Sequence, residues 1–273
     1  YHAKNKSNDI LEKVIDNYLS IDADNYEALT FKCVLLNDRK MFSEAIKYAS
    51  RMVDLYPDMP NGYIQSIPHL LAEGRKDEAT TLLDQGYEKV ADKNLILEPL
   101  VSLYATQKNF NSAINIIQSA IREHGDIADL HILMARVQVA SGNVADARVS
   151  LSKAGAKTDL EQTFRIAQIF EGLSDYDSAI HEYERAYKKY NDNIVIINNL
   201  VALLVDHRND ETSMKLAKEL LDKLKGIEQE IILDTVGWAY YKMGNFSEAV
   251  SVLKVVVEKS PNEPLFNYHL GIA

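Results

Sequence analysis

An all-α solenoid of stacked helix pairs is the fold class that this 273-residue sequence predicts. Three observations predict it. A hexamer ending in alanine recurs at a near-constant period, an apolar stripe of helical spacing precedes each copy, and a second such stripe follows. GNFSEA at 244–249 is preceded by KMFSEA at 40–45, GRKDEA at 74–79, KNFNSA at 108–113, GNVADA at 142–147 and SDYDSA at 174–179. The closing residues Ala45, Ala79, Ala113, Ala147, Ala179 and Ala249 are spaced by 34, 34, 34, 32 and 70 residues. A fixed period of this length is the mark of a repeat array. The long last interval holds a degenerate copy, HRNDETSM, with Thr212 in the hydroxyl position and Met214 in the alanine position.

Each unit divides into first helix, turn and second helix. Leu233, Val236, Gly237 and Tyr240, and likewise Leu97, Leu100, Val101 and Tyr104, have the spacing of one helical stripe ahead of the turn. Ala113, Ile114, Ile117 and Ala120 form the stripe after it. Ser43, Asp77, Asn111, Asp177, Thr212 and Ser247 stand two residues before the alanine position and are expected to cap the second helix. Glu44, Glu78, Asp146 and Glu248 follow directly, which sets negative charge at the positive end of that helix. The alanine then allows the two helices to approach closely.

The 34-residue pattern resembles that of the tetratricopeptide repeats. Val236-Gly237, Tyr240, Ala249 and Pro261 meet the family's signature, and Leu270-Gly271 renews it one period later. The resemblance runs through the whole chain and implies a right-handed superhelix of seven repeats, a single array over 1–273. Repeats begin near 26, 60, 94, 128, 160, 194 and 230, flanked by half-repeats at 1–25 and 264–273. Orphan half-repeats and an initial Tyr1 read as a fragment of a longer protein, with ends uncapped by polar helices and therefore open to self-association.

The sequence departs from the family at several points. Cys33, Ile67, Val101, Ala135, Ala167 and Val201 fill the position Gly237 holds, so those helix pairs are expected to sit farther apart. Pro68 is expected to kink a first helix, and Pro99 to lie near a helix start where it costs less. The repeat at 128 is two residues short near Gly155 and the one at 194 two residues long, which predicts local changes of pitch.

Composition narrows the function. A net charge of −10 and a pI near 5.2 argue against nucleic acid, whose phosphates require a basic stripe. No stretch reaches the roughly 18 apolar residues of a membrane span, so direct insertion is not expected. A lone cysteine, Cys33, excludes an internal disulfide and reads as a buried thiol. Seven scattered histidines form no HExxH, and no phosphate loop or GxSxG occurs. No catalytic residue, cofactor or metal is expected in this segment. His131 reads as a half-buried structural histidine and His181 as part of a solvated face.

The resemblance also implies a concave groove lined by first helices, with ligand contacts at positions 2, 5, 9, 12 and 13 of each repeat. Those positions hold Asp129, Arg136, Glu161, Gln168, Glu171, Asn198, Asp206, Ile231, Asp234, Trp238, Tyr241, Lys242, Leu265 and Tyr268. The middle of the groove is acidic and its C-terminal part aromatic. Trp238, Tyr241, Tyr268, Asp234, Asn198 and Ile231 are therefore the candidate partner-binding residues, the aromatics as anchors and the polar groups bonding an extended peptide. Trp238 has a second reading, as packing against the next first helix. The lysine-asparagine clamp of the chaperone-tail binders is absent: its positions hold Glu27 and Phe31, Asn61 and Gln65, Leu95 and Pro99, Glu161 and Arg165, Val195 and Asn199.

The expected function is a non-catalytic scaffold binding protein or peptide partners. The run ILDTVGWAYYKMGNFSEAV, with NNLVALLVDHRND before it and PNEPLFNYHLGIA after it, resembles bacterial envelope repeat proteins. These include lipoproteins linked to exopolysaccharide export and PEP-CTERM protein sorting. That resemblance implies a periplasmic, membrane-tethered scaffold in polysaccharide or protein export; without it the chain would be cytoplasmic. The alternative is the regulatory or substrate-selecting arm of an enzyme whose catalytic domain lies elsewhere.

Overall fold

A computed structural model describes the backbone of residues 2–155 and 158–273, with side chains from residue 10 onward. Among the described residues it is an α-solenoid of sixteen helices and no strand. They are α1 (His2–Ile21), α2 (Tyr26–Asp38), α3 (Phe42–Leu55), α4 (Asn61–Ala72), α5 (Lys76–Lys89), α6 (Asn94–Thr106), α7 (Phe110–His124) and α8 (Ala128–Ala140). There follow α9 (Val144–Ala154), α10 (Leu160–Gly172), α11 (Tyr176–Lys189), α12 (Ile194–His207), α13 (Glu211–Leu224), α14 (Glu230–Lys242), α15 (Phe246–Lys259) and α16 (Pro264–Ile272). Two compact units comprise residues 1–147 and 148–273. In each, the even-numbered first helices alternate with odd-numbered second helices, and the helices from α1 to α8 and from α10 to α16 pack on their neighbours in sequence.

The alanine column is what lets the pairs close. Ala45, Ala79, Ala113 and Ala147 in the first unit, and Ala179 and Ala249 in the second, have no exposed surface. Around Ala45 the apolar side chains of Leu29, Cys33, Leu36, Ala49 and Met52 form one cluster, and the Cys33 Sγ lies 2.9 Å from the Ala45 carbonyl oxygen. Burial pushes the Cys33 thiol up to about 12, so it stays protonated and unreactive at neutral pH. The degenerate repeat solves the same problem with a shifted register: Met214 is only half-buried, and α13 buries Ala217, Leu220, Leu221 and Leu224 instead.

Two glycines bring first-unit helices unusually close. A Cβ built at Gly62 would lie 2.7 Å from the Val53 amide nitrogen, and one at Gly86 would lie 2.8 Å from Cγ of Tyr63. The Tyr63 ring therefore fills the space a side chain at 86 would need, and its hydroxyl donates to the Pro57 carbonyl at 2.9 Å. At the start of the unit, buried Lys32 on α2 pairs with Glu12 and Asp16 of α1 at 2.9 and 2.7 Å.

One backbone turn joins the helices of most pairs. Lys40, Gly74, Lys108, Gly142, Ser174 and Gly244 all have positive φ, and the amide after each bonds a carbonyl five residues back. Examples are Met41 to Leu36 at 2.8 Å, Asn109 to Tyr104 at 2.9 Å and Asn245 to Tyr240 at 2.9 Å. This is the Schellman closure of a helix end. Lys40, Lys108 and Ser174 adopt it without being glycine, at a cost of about 1–2 kcal/mol each.

The same turn corrects the predicted caps. Ser43, Asp77, Asn111, Asp177, Thr212 and Ser247 are each the second residue of their helix; for all but Thr212 the positive-φ turn releases the chain into helical geometry two residues earlier. The side chains that do cap second helices are Asn109, Asp175 and Asp210, accepting from the amides of Ser112, Ser178 and Ser213. The acidic residues Glu44, Glu78, Asp146 and Glu248 do lie in first turns.

Pro99 is a second correction. It is the sixth residue of α6, past the first turn, so it removes the N–H that would reach the Leu95 carbonyl. Pro68 does the same to Ile64 within α4. His131 is more deeply buried than expected, 4% exposed, with its Nε2 2.8 Å from Asp126 Oδ1. The His181 side chain is 73% exposed.

Candidate functional site

The candidate residues lie on three consecutive first helices of the second unit: Asn198 on α12, Ile231, Asp234, Trp238 and Tyr241 on α14, and Tyr268 on α16. Their positions on those helices follow from the repeat, which returns the same helix face every 34 to 36 residues.

Trp238 is the centre of an assembled cluster. Its Nε1–H donates to Asp206 Oδ1 of α12 at 2.8 Å, and Lys242 Nζ lies 3.2 Å from the same oxygen and 5.5 Å from the indole centroid. The imidazole of His269, on α16, stacks on the indole at 4.2 Å and 17°. Tyr241 stacks at 5.0 Å and Tyr268 lies tilted at 6.4 Å. His269 Nδ1 in turn stands 2.9 Å from both carboxylate oxygens of Asp234, whose side chain is 7% exposed. The sequence Asp206, Trp238, His269, Asp234 thus ties α12, α14 and α16 together. The indole N–H is satisfied and its ring is stacked by groups of its own chain.

Asn198 belongs to a different network. It is 8% exposed, its Nδ2 donates to Asn199 Oδ1 at 3.4 Å, and its Oδ1 is buried with no hydrogen-bond partner. Asn199 Nδ2 donates to the Tyr183 hydroxyl at 3.1 Å, and that hydroxyl donates to Glu171 Oε1 at 3.2 Å. Burial, and then the Glu171 charge, push the Tyr183 hydroxyl up, so it remains a donor. Ile231 is 69% exposed and stands apart from both networks in character: it presents apolar surface to solvent.

Glu171 carries a pH signature. Burial raises its carboxyl above the ordinary value, and the Tyr183 bond only partly opposes this. A raised folded-state pKa means the folded form favours the bound proton, so Glu171 contributes stability at acidic pH that is lost as pH rises through its range. Glu171→Gln is therefore expected to melt above the parent at neutral pH and to lose that advantage below the ordinary carboxyl range. Paired thermal melts across that interval check it; an advantage independent of pH would show the carboxylate's charge is not the cause.

His269 and Tyr183 were not singled out from the sequence, and Asn199 entered only as a position of the absent clamp. His269 sits at position 6, outside the ligand-contact positions 2, 5, 9, 12 and 13, and its pairing with Asp234 spans 35 residues between neighbouring repeats. Among the described residues no group of three or more His, Cys, Asp or Glu side chains is arranged to hold a metal, and no helix is long and apolar enough to cross a membrane.

Comparison with known proteins agrees with the geometry. Family models described as tetratricopeptide repeat match residues 104–162 and 236–263, so these two stretches are similar to tetratricopeptide repeats. The C-terminal part of a TPR repeat-containing protein from Cytophaga hutchinsonii is similar at 16% identity and a TM-score of 0.57, over 88% of this chain and 99% of that one. Yeast Tom70 is similar at 14% identity and a TM-score of 0.62, over 100% of this chain and 60% of its own. PilW, a widely conserved type IV pilus biogenesis factor, is similar at 13% identity and a TM-score of 0.51, over 70% and 89%. At these identities the likeness is one of fold. No curated protein matches.

Proposed function

We propose that this chain is a non-catalytic scaffold whose second unit binds an extended protein segment along the face of α12, α14 and α16. The fold supports a protein-protein interaction role in general. The observation that carries the specific reading is a row of solvent-facing aliphatic side chains at the second position of three successive first helices: Val195, 56% exposed, Ile231, 69%, and Leu265, 52%. Tyr268, 58% exposed, adjoins the last of them on α16. Solvated helix faces do not ordinarily repeat a large apolar residue at one position. In this reading Ile231 and Tyr268 make the apolar contacts, while Asn198, its Oδ1 buried, lies beneath the surface and not on it. Trp238, Tyr241 and Asp234 form the wall that holds α12, α14 and α16 in register.

Affinity capture from native cells tests it, with the parent run beside Ile231→Asp, Leu265→Asp and Trp238→Ala. The two exposed-site variants are expected to melt with the parent and lose a captured protein; Trp238→Ala is expected to melt lower. Retention of every captured protein by Ile231→Asp would overturn the reading. The resemblance of the C-terminal run supports extending it to bacterial envelope polysaccharide or protein export. Cell fractionation decides that extension: a periplasmic, membrane-tethered pool is expected, and a cytosolic pool would remove it.

A further inference from the structure

The exposed aliphatic row of the second unit has a period, and that period selects the backbone that fits it. Val195 and Ile231 stand at the second position of α12 and α14, 56% and 69% exposed. Each of these helices has helices of the array on both sides, so neither owes its open face to an end of the array. α12 packs directly on α14, and the axes of packed helices lie about 8–10 Å apart. A chain crossing the first helices therefore meets one aliphatic side chain about every 8–10 Å.

A β-strand returns a side chain to one face about every 6.6 Å, and every second such return falls near 13 Å, so neither spacing matches. An α-helix returns one every seventh residue, about 10.5 Å, but binds through a stripe several residues wide. Here the row is one residue wide. On one side lie the buried Asn198 and Asp234, then Asn199 and Thr235; on the other the exposed Asp192 and Glu228, each three residues before its aliphatic neighbour. A polyproline II chain returns every third residue, at about 9.3 Å, and touches with isolated side chains. Its backbone is solvated and asks for no hydrogen-bonding edge. None is offered: Asp234 is engaged by His269 at 2.9 Å, Asn199 donates to the Tyr183 hydroxyl at 3.1 Å and the Thr235 hydroxyl to the Ile231 carbonyl at 3.1 Å.

The flanking charge is acidic. The Asp192 side chain is 92% exposed although Lys223 stands 3.4 Å away, Glu228 is exposed, and exposed Glu161 holds on α10 the position of Val195 and Ile231. We infer that the second unit takes a polyproline II segment with an aliphatic side chain at every third position and lysine or arginine between them. This narrows the partner-binding role proposed above and depends on it.

Fluorescence anisotropy of labelled synthetic peptides on the whole chain tests it. Five repeats of Leu-Pro-Lys place leucine at every third residue of a polyproline II backbone. The comparators are five repeats of Leu-Pro-Glu, a proline-free peptide of alternating leucine and lysine, and a helical peptide with leucine at every seventh residue. The Leu-Pro-Lys peptide is expected to bind at least about tenfold more tightly than each comparator, and Ile231→Asp and Val195→Asp each to weaken it about tenfold, the share of one aliphatic contact. Thermal melts confirm that each variant is folded, and the comparison among peptides on the parent needs no variant. Equal or tighter binding of the alternating or helical peptide would overturn the polyproline assignment; equal binding of the Leu-Pro-Glu peptide would overturn the basic one. Loss of native capture by Ile231→Asp, together with no preference for Leu-Pro-Lys, would remove this inference and leave the partner-binding role standing. Native capture indifferent to Ile231→Asp would remove both.

Discussion

Gly62→Ala is expected to lower the stability of the first unit by about 2 kcal/mol, although alanine is the better helix former. The added Cβ would stand 2.7 Å from the Val53 amide nitrogen, 2.9 Å from Val53 Cγ2 and 3.0 Å from Met52 Cβ. Backbone cannot swing aside as a flexible side chain does, so α4 must move off α3 and loosen the contacts of both. Overpacking of this kind costs roughly 1–3 kcal/mol and at times more, against a gain of about 1 kcal/mol from replacing helical glycine. Gly172→Ala is the control, for a Cβ there meets nothing within 4 Å at the end of α10. Denaturant melts of the two variants should move in opposite directions. If Gly62→Ala melts with the parent, the close approach of α3 and α4 is not tight.

Tyr63→Ala should cost more, about 4 kcal/mol, the range for deleting a large buried aromatic. Tyr63 is fully buried, its ring seats on Gly86 and its hydroxyl serves the Pro57 carbonyl. Tyr63→Phe should lose about 1 kcal/mol, for the single hydrogen bond. Where the loss appears is as informative as its size. Solenoid stability is a sum over neighbouring repeats, and the single tryptophan, Trp238, lies in the second unit. In Tyr63→Ala the far-ultraviolet circular dichroism transition should begin well below the tryptophan fluorescence transition. Coincident transitions, shifted together, would mean that the two units unfold as one cooperative body.

The parts of this fold legible in the sequence are those where a steric demand recurs at fixed spacing. Ala45, Ala79, Ala113, Ala147, Ala179 and Ala249 are all buried because each stands where two helix axes converge, and only a small side chain fits. The helix starts were misplaced by two residues because Ser43, Asp77 and Ser247 have capping chemistry, whereas the observed start is set by the positive-φ residue of the preceding turn. At Lys40 and Lys108 no glycine announces that residue. In α13 the cap chemistry and the burial pattern disagree by one position, so alignment on Met214 misidentified the packing residue.

The candidate site was legible to a lesser degree. Reading one column of each first helix found Trp238, Asp234 and Tyr268, but the side chain that joins them, His269, comes from a neighbouring column across a repeat boundary. Contacts between repeats depend on how far consecutive helices are rotated, which no single-repeat pattern records. The unpaired Asn198 Oδ1 is invisible for the same reason: whether an amide finds a partner depends on which side chains of other helices arrive beside it.

The turn that closes most helix pairs makes its connection through main-chain atoms, with lysine, serine or glycine at the positive-φ position. A joint that asks so little of side-chain identity leaves its sequence free to drift, and it lets whole repeats be copied, lost or exchanged with the junction intact. The 32-residue step ending at Ala179, flanked by two such turns at Gly142 and Ser174, shows that a unit can change length while its junctions keep their form. Diversity in an array of this kind can therefore accumulate on the helix faces while the hinge grammar between them stays constant.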